Sequence, residues 1–139
     1  MTNKAEPPVL QINLDSPTAV YLQIVDCLRT MLVAGVFKPG DRLPTVRQLA
    51  VDLNVNHNTV AQAYRLLEEE RWIQLRRKHG ATVVPRETPR ARPARRNEFL
   101  QRLRELTARA IADGLDAETV TQQLNSIAKD LKQSNKAVL

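Results

Sequence analysis

The stretch Leu43-Pro-Thr-Val-Arg-Gln-Leu-Ala50, followed by Val55-Asn-His-Asn-Thr-Val-Ala-Gln-Ala-Tyr64, decides the fold of this chain. The spacing of its apolar residues predicts two short helices joined by a tight turn, the second with polar groups at its exposed start. This is the layout of a helix-turn-helix, whose second helix lies in the major groove of DNA. The sequence therefore indicates a reader of DNA and not a catalyst.

Capping residues predict where these two helices begin. Thr45, with Gln48 three residues later, has the pattern of a capping box, and Asn56 is the predicted N-cap of the next helix. The turn between the helices is expected at residues 53–56. The predicted inward-facing residues are Val46, Leu49, Ala50 and Leu53 in the first helix and Val60, Ala63, Tyr64 and Leu67 in the second.

Another amphipathic helix is predicted upstream. Ser16-Pro17 has the pattern of a helix start, and Gly35 is expected to end the helix. Its apolar face comprises Val20, Ile24, Cys27, Leu28 and Met31. Cys27 is expected to be a small buried apolar residue, with a redox sensor as the alternative. Residues 1–15 are predicted to form an N-terminal arm, because Val9–Leu14 alternates apolar and polar residues as a short edge strand does.

A β-hairpin with a basic tip is predicted directly after the helix-turn-helix. Trp72–Leu75 and Ala81–Val84 have the pattern of two short strands around Arg76-Arg-Lys-His-Gly80. A hairpin in this position is the wing of a winged helix, and an ordinary solvated hairpin is the alternative. Three consecutive cations repel one another unless a polyanion compensates them, which favours the wing.

Residues 85–139 are predicted to be a linker and two helices. Residues 85–96 contain three prolines and five arginines and are assigned to the linker. Asn97 is the predicted cap of a fourth helix, Gly114 its break and Asp116 the start of a fifth, with fraying expected from Ser134 to Leu139.

The apolar stripes of these two helices exceed what two helices can bury against each other. Residues 97–139 are therefore predicted to form a dimerisation element, with a monomeric cap on the winged helix as the alternative. The predicted interface residues are Leu100, Leu103, Ile111, Val120, Leu124, Ile127 and Leu131. An element this short has little room for the roughly 300 Å³ that a small ligand usually needs, and no effector cavity is therefore expected within residues 97–139 of one subunit. A cleft at the dimer interface or between domains is the alternative.

Composition and charge narrow the function classes. The 139 residues carry a formal net charge of +6, and residues 85–96 alone hold five basic and one acidic side chain, which suits a polyanionic partner. A single cysteine excludes an intramolecular disulfide, and neither a secretory signal nor a span of about 20 apolar residues is recognisable, so a cytoplasmic protein is expected. Two separated histidines and no Gly-rich phosphate loop predict no enzyme, metal site or cofactor.

The chain resembles the GntR family of bacterial transcription regulators from about Ser16 to Val84. The resemblance rests on Tyr21-Leu-Gln-Ile, on Gly35-Val-Phe-Lys-Pro-Gly-Asp-Arg-Leu-Pro-Thr-Val-Arg-Gln-Leu-Ala50, on Asn58-Thr-Val and on the hairpin ending His79-Gly-Ala-Thr-Val. The residues of the second helix of the motif, Val55-Asn-His-Asn-Thr-Val-Ala-Gln-Ala-Tyr64, and the short helical tail are similar to those of the YtrA-type subfamily. This similarity implies a small dimeric repressor, often one that controls an ABC-transporter operon, without a large effector domain.

The predicted DNA-binding residues fall in three places. Thr45, with the free N–H groups at the start of the first helix of the motif, is expected to hold a phosphate, and Arg47 is expected to reach a phosphate or a guanine edge. The alternative for Arg47 is an ion pair with Asp52 or another nearby acid. On the reading helix the predicted contacts are His57, Asn58, Thr59, Ala61, Gln62 and Arg65, with capping as the alternative for Thr59. On the wing they are Arg76, Arg77, Lys78, His79 and Gly80.

Together these patterns predict a mainly α protein with a small β-hairpin: a winged helix-turn-helix domain over residues 16–84, followed by a two-helix dimerisation element. The predicted function is sequence-specific regulation of transcription by a homodimer on an inverted-repeat operator. The alternative is a winged-helix adaptor that binds proteins and has no sequence-specific affinity for DNA.

Overall fold

The computed structural model describes residues 10–77 and 80–136, and within them the chain is mainly α with one small hairpin, as predicted. The elements are α1 (Val20–Val33), α2 (Val46–Leu53), α3 (His57–Glu69), β1 (Ile73–Arg76), β2 (Gly80–Val83), α4 (Pro93–Ala112) and α5 (Ala117–Lys136). The chain divides into two compact units, the first ending at Arg86 and the second beginning at Glu87.

The core of the first unit forms around α3, which packs against α1, α2 and β1. The predicted inward face of α3 is confirmed, since all four of its residues are buried: Val60, Ala63, Tyr64 and Leu67. The hydroxyl of Tyr64 donates a hydrogen bond of 2.5 Å to the carbonyl oxygen of Pro44, immediately before α2. Burial raises the pKa of Tyr64, so the phenol stays protonated and the bond fixes α3 relative to the start of α2.

The start of α1 and the N-terminal arm differ from the prediction. The helix begins at Val20 after Ala19, without a side-chain cap, whereas the hydroxyl of Ser16 accepts a hydrogen bond from the N–H of Thr18 and closes a turn before the helix. Residues 10–13 form no strand; Leu10 and Ile12 instead pack against the core, and residues 1–9 of the predicted arm lie outside the described residues. Leu14 lies in a turn, so the predicted edge strand is wrong over residues 10–14.

Cys27 is half-buried rather than fully buried as predicted. Partial burial raises the pKa of its thiol, and a raised pKa lowers the fraction of the reactive thiolate. The surroundings of Cys27 therefore favour a structural role over the alternative of a redox sensor.

The hairpin is antiparallel and shifted by one residue from the predicted strands. Ile73 pairs with Val83 and Arg76 with Gly80, and the side chains of Ile73, Ala81 and Val83 face the core. The segment before α2 pairs with the other edge of β2, through bonds from the N–H of Leu43 to the carbonyl of Ala81 (3.0 Å) and from the N–H of Val83 to the carbonyl of Asp41 (2.8 Å). The hairpin is thereby anchored next to the helix-turn-helix.

The second unit starts earlier than the sequence predicts. Helix α4 begins at Pro93, after Arg92, and not after the predicted cap Asn97, because proline is well suited to the first helical position, where no N–H partner is needed. Residues 93–96 are therefore helical and not part of the linker. Gly114 (φ 106°) separates the helices, as predicted, and a carboxylate oxygen of Asp116 accepts a hydrogen bond of 2.6 Å from the N–H of Thr119. Helix α5 continues through residues 134–136, where fraying is predicted, and residues 137–139 of that prediction lie outside the described residues.

Candidate nucleic-acid interface

The start of α2 is held by the predicted capping box. The N–H of Gln48 donates to the hydroxyl oxygen of Thr45 (3.2 Å), and the N–H of Thr45 donates to the side-chain oxygen of Gln48 (3.1 Å). The N–H groups of Val46 and Arg47 lie in the same first turn, where no intrahelical acceptor is available. Because these donors point out of the helix start, they can bind an anionic oxygen such as that of a phosphate.

Arg47 is exposed, and no carboxylate of residues 10–77 or 80–136 forms an ion pair with it. The alternative of a structural pair with Asp52 is therefore not supported. Arg47 lies at one side of an open groove of about 660 Å³ at the bend between α2 and α3. The groove is lined by Arg47, Ala50, Val51, Asn54, Val55, Asn56 and His57.

Five of the seven groove residues are absent from the sequence-based site, and two of these, Val51 and Asn54, are exposed and were given no individual role. Val51 is 79% exposed, which is unusual for a valine within a short helix, and Asn54 takes a left-handed conformation (φ 54°) at the end of α2. An apolar residue outside the inward face of α2 is the sequence signal that points to Val51. The left-handed residue makes the bend between the helices tight, and asparagine tolerates this conformation better than most residues.

The outer face of α3 presents the predicted reading residues. The side chain of Asn56 caps the helix by accepting a hydrogen bond of 2.8 Å from the N–H of Asn58, which confirms capping as the role of Asn56. The exposed residues of this face are His57, Asn58, Gln62 and Arg65, whereas Thr59 and Ala61 are half-buried. The helix therefore offers amide, imidazole and guanidinium groups on the side opposite its buried face.

The hairpin and the start of α2 come together. A Cβ atom placed on Gly80 would lie 3.9 Å from the methyl carbon of Thr45, and Gly80 itself has φ +70°, a conformation that favours glycine. Arg76 and Arg77 are exposed on the hairpin, whereas Lys78 and His79 lie outside the described residues. The predicted anion-binding start of α2 is thus adjacent to the turn end of the hairpin, where β2 begins.

Arg42 is a further exposed cation that the sequence analysis missed. It forms an isolated β-bridge with Thr82, which places it beside β2 and immediately before the buried Leu43. In the sequence, the charged Arg42 is followed by the apolar Leu43, which is the alternation typical of a strand. This signal could have identified Arg42 as a residue beside the hairpin. Its position beside the hairpin extends the basic surface between the wing and α2.

Two acidic residues at the end of α3 are engaged in other contacts. A carboxylate oxygen of Glu68 accepts a hydrogen bond of 2.6 Å from the N–H of Leu75, and Glu70 pairs with Arg29 at 2.6 Å. Within the described residues, no carboxylate pairs with the five exposed guanidinium groups of the interface. These five are Arg42, Arg47, Arg65, Arg76 and Arg77. Their positive charge is thus available to a polyanion.

The second unit carries a separate, apolar surface. No residue of α4 is buried, and large apolar side chains of both helices are exposed, with Leu106 67% and Ile127 54% exposed. Of the predicted interface residues, Leu100, Ile111, Leu124, Ile127 and Leu131 are exposed and Leu103 and Val120 are half-buried; Phe99, Leu106 and Leu115 are exposed as well. One copy of the unit leaves these side chains facing solvent.

Two concavities of the second unit, of about 380 and 420 Å³, are each lined by a single helix. The first lies along α5 and the second along α4, so neither is enclosed between the two helices. The absence of an effector cavity within one subunit remains a prediction. In the described part of the chain, no helix is both long enough and apolar enough to cross a membrane.

Comparison with known families and curated proteins gives consistent matches. Residues 20–83, which span the winged helix-turn-helix, match the model of a family described as "Bacterial regulatory proteins, gntR family". The HTH-type transcriptional repressor YtrA of Bacillus subtilis is 30% identical over 92% of this chain and 98% of its own length. The relationship therefore includes the helical tail as well as the DNA-binding domain.

Solved structures support the same relationship. A transcriptional antiterminator from Listeria monocytogenes EGD-e has a TM-score of 0.62 at 25% identity, over 90% of this chain and 93% of that one. YtrA from Sulfolobus acidocaldarius, a GntR-family transcription factor, has a TM-score of 0.54 at 34% identity, over 75% of this chain and 98% of that one. The chain belongs to the GntR family and is, like its relatives, a DNA-binding transcription regulator of the YtrA type and not an enzyme.

Proposed function

We propose that the protein is a repressor that binds an inverted-repeat operator as a homodimer and controls a transporter operon. The observation that carries the proposal is the combination of one basic reading head with an uncovered apolar surface on α4 and α5. Repression is supported by the name of the Bacillus relative, and control of a transporter by the resemblance to the YtrA-type subfamily.

The apolar surface supports the homodimer. On α5 the residues Val120, Leu124, Ile127 and Leu131 follow one another at intervals of four and three, which places them on one side of the helix. Contiguous exposed apolar patches of this kind are rare on monomers and mark association surfaces. A second copy related by a two-fold axis presents the same patch, and two heads so related read the two halves of an inverted repeat.

The polar face of α3 supports base recognition. The amide groups of Asn58 and Gln62 have the donor and acceptor pair that binds the major-groove edge of adenine. Ala61 is small enough for the helix to approach closely and to contact a thymine methyl group, and His57 donates to a base or a phosphate. Arg65, one turn farther along, contacts the phosphate backbone, so specificity comes mainly from residues 57–62.

The basic residues around α3 supply affinity. Arg47, with the free N–H groups at the start of α2, binds one phosphate, and Arg42 lies near the flanking phosphates. The wing residues Arg76 and Arg77 approach the minor groove, together with Lys78 and His79. These contacts release counterions, so binding depends steeply on salt concentration.

A titration with duplex DNA separates this function from that of a protein-binding adaptor. Binding to random-sequence duplexes and to an inverted repeat selected from them is measured at several salt concentrations, and light scattering gives the mass of the free protein. The proposal requires a steep salt dependence, a preference for the selected repeat and a particle of twice the mass of one chain. A protein-binding adaptor would show neither a steep salt dependence of DNA binding nor a preference for the selected repeat. The lack of either one contradicts the proposal.

A further inference from the structure

One arginine of the basic segment after the hairpin is not solvated like the others. Arg86 is half-buried, whereas Arg90, Arg92, Arg95 and Arg96 are exposed. Its Nε donates a hydrogen bond of 3.0 Å to the carbonyl oxygen of Glu70, and its guanidinium carbon lies 4.3 Å from the centroid of the Trp72 ring. We call this pair of contacts the Arg86 clamp.

The partners of the clamp are themselves fixed. Both carboxylate oxygens of Glu70 accept hydrogen bonds from Arg29 of α1, at 3.1 and 2.6 Å. The N–H of Val84 donates to the carbonyl oxygen of Trp72 at 3.1 Å. The chain is thus attached to the corner between α3 and β1 at Val84 and again at Arg86, and the first compact unit ends at this second attachment.

We propose that Arg86 is a positioning residue that limits which half-site spacings the dimer accepts. This inference rests on the proposed homodimer and its inverted-repeat operator. With the clamp closed, the segment between the reading head and α4 comprises only residues 87–92, because α4 begins at Pro93. Six residues span at most about 20 Å when fully extended, so the reach of each head is short.

Opening the clamp lengthens this segment. Pro85 and Arg86 are then added to the segment, which starts after Val84, because Val84 keeps its backbone hydrogen bond to Trp72. Two added residues extend the reach by at most about 7 Å, which corresponds to about two base pairs at 3.4 Å each. Since both heads gain this reach, the accepted spacings should widen by about two to four base pairs.

The test uses the full-length protein and a series of duplexes. Each duplex carries two copies of the half-site recovered by selection from random duplexes, in inverted orientation, with the spacing changed one base pair at a time. Wild type is compared with Arg86→Ala and with the matched control Arg90→Ala, which removes the same charge from an exposed linker position. Affinity for a single half-site is measured in parallel.

We expect wild type and Arg90→Ala to accept the same narrow range of spacings. Arg86→Ala should accept the wider range, with a single half-site affinity equal to that of Arg90→Ala. Arg86→Lys keeps the charge but lacks the planar guanidinium that stacks and donates at once, so it should behave like Arg86→Ala. Trp72→Leu removes the stacking surface from the other side and should widen the range as well, which keeps the test valid if one variant folds poorly.

The fluorescence of Trp72, the only tryptophan of the chain, reports directly on the clamp. Acrylamide should quench it more strongly in Arg86→Ala than in wild type or Arg90→Ala. If quenching increases in Arg86→Ala but the range of accepted spacings does not change, the inference is overturned and the proposed function is not. If quenching does not change, the clamp is not formed in solution and the inference is overturned as well. A wild-type protein that stays monomeric or ignores paired half-sites overturns the proposed function and the inference together.

Discussion

Replacement of Arg47 by alanine tests whether the start of α2 binds a phosphate. Arg47 is exposed, it lies two residues after the cap Thr45, and no carboxylate in the described part of the chain pairs with it. Its removal therefore breaks no ion pair within the described residues. The change should leave folding intact and remove one cationic DNA contact from each head, or two from the dimer.

The expected magnitude follows from counterion release. Each phosphate contact contributes about 0.9 to the slope of log affinity against log salt concentration, so the loss of two contacts lowers the slope by about 1.8. Across a fourfold change in salt, from about 50 to 200 mM, this difference corresponds to about 12-fold. The variant should thus bind every duplex more weakly than wild type at low salt, and the ratio of the two affinities should shrink by about that factor at the higher concentration.

Fluorescence anisotropy with a labelled duplex at several salt concentrations measures both slopes. Arg104→Ala is the matched control, because Arg104 is an exposed residue of α4 and its loss changes the net charge equally. The control should keep the wild-type slope. A wild-type slope for Arg47→Ala would refute the phosphate contact, and an equal fall in both variants would show that net charge, and not this position, determines the slope.

Four further changes test other parts of the molecule. Gln62→Ala should reduce discrimination at one base pair of each half-site by about 1–3 kcal/mol while leaving the other positions unaffected, as competition between single-base variants of the operator would show. Tyr64→Phe removes the donor to a backbone carbonyl next to α2, and urea titration should find the free energy of unfolding lower by about 1–3 kcal/mol; unchanged stability would show that the bond contributes nothing. Ile127→Asp places a charge in the exposed apolar stripe of α5, so light scattering should detect monomers where wild type gives dimers. The hydrogen bond from the N–H of Thr119 lowers the pKa of Asp116 below its ordinary 3.8, so the ionised cap favours the folded state above that value and loses its effect as the pH falls through the lowered pKa. Circular dichroism should therefore record a loss of helix at acidic pH that is smaller in Asp116→Asn, and coincident pH profiles would contradict this role.

The helix-turn-helix was predictable because short-range signals encode it. The capping box of Thr45 and Gln48 and the cap at Asn56 lie where the sequence places them, and the inward face of α3 follows from helical spacing alone. Caps act within three residues and burial follows the helical period, so neither needs knowledge of the rest of the molecule. The exposed outer face of α3 could therefore be predicted together with the buried one.

The errors occur where two local signals compete. Ser16 can cap a helix or close a turn, and in the structure it closes a turn before α1. Pro93 and Asn97 both have the pattern of a helix start, and the earlier one, which needs no side-chain cap, begins α4. Sequence spacing alone does not rank such alternatives, because both alternatives in each case satisfy a local rule for their position.

The contacts that depend on tertiary structure were not predictable. Arg86 was assigned to the linker, yet it returns to Trp72 and Glu70 across more than ten residues. Arg42 joins the basic surface only because its segment pairs with β2. The sequence shows that Arg86 and Arg42 are cations, but their partners depend on how the hairpin packs against the helices.

Interference by 7-deazaadenine tests the central proposition most directly, namely that the outer face of α3 contacts base edges in the major groove. This base lacks the N7 acceptor of adenine but still pairs with thymine, so it alters the major-groove edge that amide side chains bind. Substituted one position at a time, it should weaken binding at a few adenines placed symmetrically in the two half-sites, and Gln62→Ala or Asn58→Ala should be insensitive at one of them. Full affinity at every substituted position would contradict the account.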